Sequence, residues 1–210
     1  MLKTVLQLGP PPTDAAKQNR MSPAGIVMMY VSEDAGTALA EIVDREGIYA
    51  VGEFVIERDA IILDLAELPE TPSIFYEVPD SMEYDPRQHL IFLREGEEEL
   101  SRPITRDDRV HVEYVPTQVV TEFLRTAATS HKGPIDGIRY RSARRSGGKS
   151  LVLFADQTSL VTPEDLRDDN YNFYRDRWIR LIGKQDYEIT NLCFDYDVRP
   201  MWGHLGLADQ

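Results

Sequence analysis

Residues 136–154 read DGIRYRSARRSGGKSLVLF. Two short runs rich in strand formers, 137–140 and 151–154, flank a basic, Gly-rich turn. The turn carries five positive charges between Arg139 and Lys149 and no negative one. Gly148–Lys149–Ser150 invites comparison with a phosphate-binding P-loop. That motif needs a glycine where Ala143 stands, and it should follow a strand and open a helix. Here it precedes an apolar run, so the P-loop is rejected. Backbone amides of such a turn can still form an anion nest.

Upstream, residues 9–12 (Gly-Pro-Pro-Pro) cannot be helical and read as an extended entry. A strand is expected at 26–31 and a turn at 32–36, with Asp34 as the N-cap of a short helix over 37–44. Leu39, Ile42 and Val43 would form the buried stripe of that helix, with Glu41 roughly opposite. Two strands follow at 48–57 and 60–65. Residues 68–108 hold Pro69, Pro72, Pro79, Pro86 and Pro103 and most of the acidic excess. They read as an insertion or cover segment with at most a short element at 90–93. Its acidic run, Glu95, Glu97, Glu98 and Glu99, reads as a solvated loop. A strand at 110–114 and an amphipathic helix at 117–128 come next. Pro116 suits the start of that helix, and Val120, Phe123, Leu124 and Ala127 share its apolar face. In the tail, 178–182 and 187–196 form a closing hairpin around residues 183–184. Strands outnumber helices, so the fold class is α+β, a mainly antiparallel sheet with a few short helices.

The 210 residues suit one domain spanning 1–210, with its motifs between about 9 and 154 and a C-terminal extension over 155–210. A net charge of −13 disfavours nucleic acid and anionic membranes. No apolar run approaches the roughly 18 residues of a membrane span, and the N-terminus lacks a signal-peptide pattern. Cys193 is the only cysteine, which rules out an internal disulfide and points to a reducing, cytoplasmic compartment. His89, His111, His131 and His204 are scattered without metal-ligand spacing, so no metal is expected. No Gly-x-Ser-x-Gly pattern supports a serine nucleophile.

One constellation is more specific. It runs Asn19-Arg20-Met21-Ser22-Pro23-Ala24-Gly25-Ile26, then Tyr30, then Thr37-Ala38-Leu39-Ala40-Glu41. Tyr114-Val115-Pro116-Thr117-Gln118 follows, then Asp136 to Arg144, then Gly147 to Phe154. This series resembles the RES domain, a family named for an arginine, a glutamate and a serine. Arg20, Tyr30 and Glu41 match its order and spacing, and Ser142 falls where its serine is expected. The chain departs from the family at Lys149–Ser150, near which an asparagine is common, and in the length of 68–108.

The resemblance implies a fold related to ADP-ribosyltransferases and consumption of NAD⁺ as a substrate, with no separate cofactor. It implies a toxin that hydrolyses or phosphorolyses NAD⁺, an antitoxin partner that blocks the active site, and a homodimer. Inorganic phosphate would be the acceptor in phosphorolysis. The residue chemistry fits such a reaction. Cleaving the nicotinamide–ribose bond develops oxocarbenium character that a carboxylate stabilises, and Glu41 is the candidate. A pyrophosphate calls for a forked guanidinium, so Arg20 is its main partner, with Arg144 and Lys149 as helpers. Tyr30 can wall the flat nicotinamide. Ser142 would hydrogen-bond the ribose or Glu41, and Gln118 lines the same pocket. From helix geometry alone Glu41 is an exposed glutamate; the resemblance assigns its role. Protein ADP-ribosyl transfer is the nearest alternative, but Leu39 stands where such enzymes often carry a second acid. An interaction module with a degenerate pocket, and a nuclease built on the basic turn, are the other readings.

Overall fold

In the computed structural model, which describes residues 5–80, 82, 84–102, 114–163, 165–167 and 177–190, helices and strands are interspersed along the chain. In chain order they are α1 (Val5–Leu8), β1 (Met29–Ser32), α2 (Ala35–Ile42), β2 (Gly47–Ile56), β3 (Ile62–Asp64) and α3 (Pro86–Ser101). Then come α4 (Val115–Thr126), β4 (Thr129–Ser130), β5 (Gly133–Pro134), β6 (Gly137–Arg141), β7 (Lys149–Leu153) and β8 (Ile179–Ile189). Most strand pairs are antiparallel, so the α+β class expected from sequence holds.

The runs flanking the basic turn become β6 and β7, with Arg141 opposite Lys149 and Gly137 opposite Leu153. β1 joins the other edge of β7, Tyr30 facing Val152 across the ladder. β3 lies parallel to β6 and completes the order β1-β7-β6-β3. Side chains alternate across a strand. Tyr30, Ile138, Tyr140, Ser150 and Val152 therefore share one face of this sheet, while Met29, Arg139, Lys149, Leu151 and Leu153 share the other. Each face carries its own core. Met21, Met28, Leu65 and Leu100 cover Ile138 and Val152 on the first. Leu160, Trp178 and Ile179 join Met29 and Leu153 on the second. Ile179 is fully buried. Ile179→Ala should lower the unfolding free energy by about 2–5 kcal/mol in urea titrations. A loss below about 1 kcal/mol would show that the second core does not unfold with the rest.

β2 and β3 follow one another in sequence but diverge in space. β2 leaves for a second sheet, where it pairs with β8 along its whole length. The crossing is pinned by Arg58, which forms a forked pair with Asp136 at 2.6 and 3.1 Å. The same carboxylate accepts the amide of Ile61 at 2.8 Å.

Four local expectations are corrected. First, the expected tail hairpin does not form: residues 183–184 lie inside the continuous strand β8. The ladder skips Ile182 between the pairs Glu53–Gly183 and Phe54–Leu181, and this bulge breaks the alternation that sequence reading relies on. Second, residues 86–101 are a 16-residue helix rather than a loop with a short element. Pro86 occupies its first turn and the Asp85 carboxylate accepts the Arg87 amide at 2.9 Å, a regular N-terminus. The acidic run lies within α3, and Glu97 faces inward, 3 % exposed. Third, α4 turns Gln118 and Thr121 inward and leaves Phe123 59 % exposed and Ala127 exposed. Val120 and Leu124 of the expected stripe are half-buried, Leu124 against the first core, while the buried Gln118 amide is satisfied by loop carbonyls, so polar bonding and apolar packing share the inward face. Fourth, α2 buries Thr37 rather than Ile42, which is 54 % exposed; Val43 is buried just past the helix end. The expected strand at residues 110–113, the tail segment 191–196, His111, His204 and Cys193 lie outside the described residues.

Candidate active site

The site grows from the contact between α2 and the basic turn. Asp34 caps α2 by accepting the Thr37 amide at 3.0 Å and its hydroxyl at 2.6 Å. The Thr37 hydroxyl foremost, and Arg145 beside it, hold the Asp34 carboxyl down at about 2. One face of α2 must be small, because the turn passes directly against it. A Cβ on Gly148 would lie 2.7 Å from the Thr37 hydroxyl oxygen, and Gly147 turns the chain at φ 75°. Glu41 follows Thr37 by one helical turn on this same face and is half-buried.

There Glu41 meets Ser142, which donates its hydroxyl to the carboxylate at 2.6 Å. The Ser142 oxygen also accepts the amides of Arg144 and Arg145 at 3.2 and 3.0 Å. A hydroxyl that accepts two fixed amides can point its hydrogen only one way. Ser142 is thus both a local turn cap and a rigid holder of Glu41. These contacts occupy two amides of the expected anion nest. A third, that of Gly148, is bonded to the Arg145 carbonyl at 3.0 Å.

Arg20 sits in the loop before β1. Gln118 donates to the carbonyls of Asn19 and Ser22 at 2.8 and 3.3 Å, and the Thr117 hydroxyl lies 2.5 Å from the Arg20 carbonyl. Gln118 therefore supports the loop that presents Arg20. The guanidinium donates to the terminal carbonyls of α3: Glu99 at 3.5 Å, Leu100, and Arg102 at 2.6 Å. The last turn of α3 has no basic residue of its own. Arg20 supplies the cation that its negative end favours. Burial lowers the Arg20 pKa against the attraction of Tyr114, Tyr140, Glu41 and Glu99.

Tyr30 and Tyr140 stand on the same sheet face. The Tyr30 hydroxyl lies 3.0 Å from that of Ser22, which is itself 1 % exposed. Tyr30 as a whole is 37 % exposed, but burial around its hydroxyl pushes the phenol up to about 12. Tyr140 is raised further, first by burial and then by Glu41 and Tyr30, with Arg20 opposing. Its phenol is therefore within electrostatic reach of three predicted site residues. Tyr140 was not among the predicted site residues. Its signal was the alternation that puts it in step with Ile138, but the face it shares with Tyr30 depends on strand register. The two hydroxyls stay neutral donors at physiological pH. Since the folded value of Tyr30 lies above its ordinary 10.0, the stabilisation is complete below pH 10 and lost as pH rises through about 12. Urea midpoints measured across that window should fall, and Tyr30→Phe should flatten part of the decline. An unchanged slope in Tyr30→Phe would remove Tyr30 as its source.

The remaining basic residues are largely neutralised. Arg139 contacts Glu33 and Asp64, both at 2.6 Å, and these bonds raise its pKa, with Glu33 the larger contributor. Arg145 pairs with Asp34, and Lys149 with Glu67. Lys149 lies on the sheet face opposite Tyr30 and Tyr140, so the structure does not group it with them. Arg144 reaches a carbonyl, that of Ala40, at 3.4 Å beside Glu41. This pairing leaves the turn little net positive field for a nucleic acid. Among the described residues, no group of three or more His, Cys, Asp or Glu could hold a metal, and no helix is long and apolar enough to cross a membrane.

The arrangement unites Arg20 from the loop before β1, Glu41 from α2, and Tyr140 and Ser142 from the end of β6. A family model described as the RES domain matches residues 7–176. No curated protein and no solved structure matches the chain.

Proposed function

The chain belongs to the RES domain family, and we propose that it consumes NAD⁺, cleaving the nicotinamide–ribose bond by hydrolysis or phosphorolysis. The observation that carries this reading is the 2.6 Å bond between the Ser142 hydroxyl and the Glu41 carboxylate, with Arg20 and Tyr140 close enough to feel that charge.

In the proposed reaction the C1′–N bond breaks and its electron pair returns to the nicotinamide ring. The ribose acquires positive charge. Glu41, fixed by Ser142, supplies a preoriented negative charge against it without reorganisation at the moment of cleavage. The neutral phenols of Tyr30 and Tyr140 offer donor hydroxyls and flat apolar faces to the ring. An oxygen of water or phosphate then attacks C1′ and gives up its proton to solvent or to Glu41. Arg20 would hold the pyrophosphate through Nε and the second hydrogen of Nη2, since Nη1 and one Nη2 hydrogen are donated to the α3 carbonyls. Leu39, half-buried two residues before Glu41, offers no second acid for transfer to a protein side chain.

The test is incubation of the purified chain with NAD⁺, with and without inorganic phosphate, followed by chromatography. Free nicotinamide with ADP-ribose identifies hydrolysis. A phosphate-dependent ADP-ribose phosphate identifies phosphorolysis. Intact NAD⁺ in both samples would overturn the reading. Expression in a bacterial host should likewise deplete cellular NAD⁺ and arrest growth, the behaviour of a toxin.

A further inference from the structure

Glu97 is a buried acid that the proposed reaction leaves without a role. It is 3 % exposed, while Glu95, Glu98 and Glu99 of the same run face solvent. Burying a carboxylate is costly unless its partners are well placed. Arg141 approaches it at 3.0 Å through Nε, and the Ser101 hydroxyl at 2.5 Å. That hydroxyl also lies 3.2 Å from the Arg141 carbonyl. Glu97 thus ties the last turn of α3 to the end of β6.

Two groups of the candidate site depend on those same two ends. Arg20 donates to the carbonyls of Glu99, Leu100 and Arg102, where α3 terminates. Ser142 directly follows Arg141 and holds Glu41 at 2.6 Å. A leucine at position 97 could pack beside Leu93 and Leu100 without any desolvated charge. A bonded acid does what a leucine cannot: it fixes direction as well as distance.

We infer that Glu97 is a positioning residue that sets the spacing between Arg20 and the Ser142–Glu41 pair. For its ligand, this inference rests on the NAD⁺ reading: the spacing would place the pyrophosphate relative to the bond that breaks. The coupling between the two segments does not depend on that reading.

The test uses the full chain and the variant Glu97→Gln, which keeps an acceptor for Ser101 and removes the charge facing Arg141. Hydrogen–deuterium exchange should quicken about tenfold in both 19–22 and 141–148, with β2 and β8 unchanged. For NAD⁺, KM should rise about tenfold with kcat within about threefold. Adding Glu97→Gln to Arg20→Ala should worsen KM no further, because one acts through the other. If Glu97→Gln fails to fold, Arg141→Gln removes the same pair from its 55 % exposed end and must reproduce the loosening. Faster exchange confined to α3, or KM effects that simply add in the double variant, would overturn the inference. Loosening of both segments in a protein that releases no nicotinamide would sink the NAD⁺ reading and leave the positioning role standing. Nicotinamide release with neither segment loosened would do the reverse.

Discussion

Glu41→Gln should reduce nicotinamide release by roughly 10²–10³-fold, the scale seen when one preorganised electrostatic contact to a transition state is lost. Glutamine keeps the shape of the side chain and an oxygen able to accept the Ser142 hydroxyl, so the bond now 2.6 Å long can persist. Only the charge disappears. The thermal midpoint should stay near wild type, since Glu41 is half-buried and its helix is capped independently by Asp34. Initial rates at saturating NAD⁺, read beside a melting curve, separate the two effects. Undiminished turnover in a folded Glu41→Gln protein would remove Glu41 from the mechanism.

Arg20 should answer in two ways, because it has one structural partner and one proposed ligand. Its guanidinium caps α3, and its proposed ligand is a pyrophosphate. Arg20→Ala should therefore lower stability and raise KM together. Arg20→Lys separates the roles. An ammonium still places positive charge at the end of α3 but cannot make the forked contact. Its unfolding free energy should fall less than that of Arg20→Ala, because the charge stays while the bonds from two nitrogens do not, and KM for NAD⁺ should rise about 10–100-fold, the equivalent of one charge-assisted hydrogen bond. A wild-type KM in Arg20→Lys would assign Arg20 to the helix alone.

What the sequence made legible was local. The runs at 137–140 and 151–154, the cap at Asp34 and the strand near Tyr30 all follow from short-range pattern. α3 stayed hidden because Gly96, the clustered acids and the surrounding prolines imitate a loop, and only the inward-facing Leu93, Glu97 and Leu100 reveal a helical period. β8 reads as two strands because Gly183–Lys184 imitates a turn and the bulge at Ile182 shifts the alternation. The Glu41–Ser142 contact joins positions 101 residues apart. No local pattern could pair them, and family resemblance alone placed them together. Lys149 illustrates the converse. It neighbours Ser150 in sequence, yet strand parity sends the two to opposite faces.

The pairing of β2 with β8 bears on how the molecule is made. Gly47 meets Ile189 and Ile56 meets Ile179, so the second sheet closes only after more than a hundred intervening residues exist. Bringing such distant segments together carries a loop-closure entropy that grows with their separation, and contacts of this kind slow folding. During synthesis from the N-terminus, every segment of the candidate site, up to the end of β7, emerges before β8. Through that interval β2 presents an unsatisfied strand edge. It is the place where a nascent chain is most open to pairing with a neighbour, and where a chaperone has most to protect.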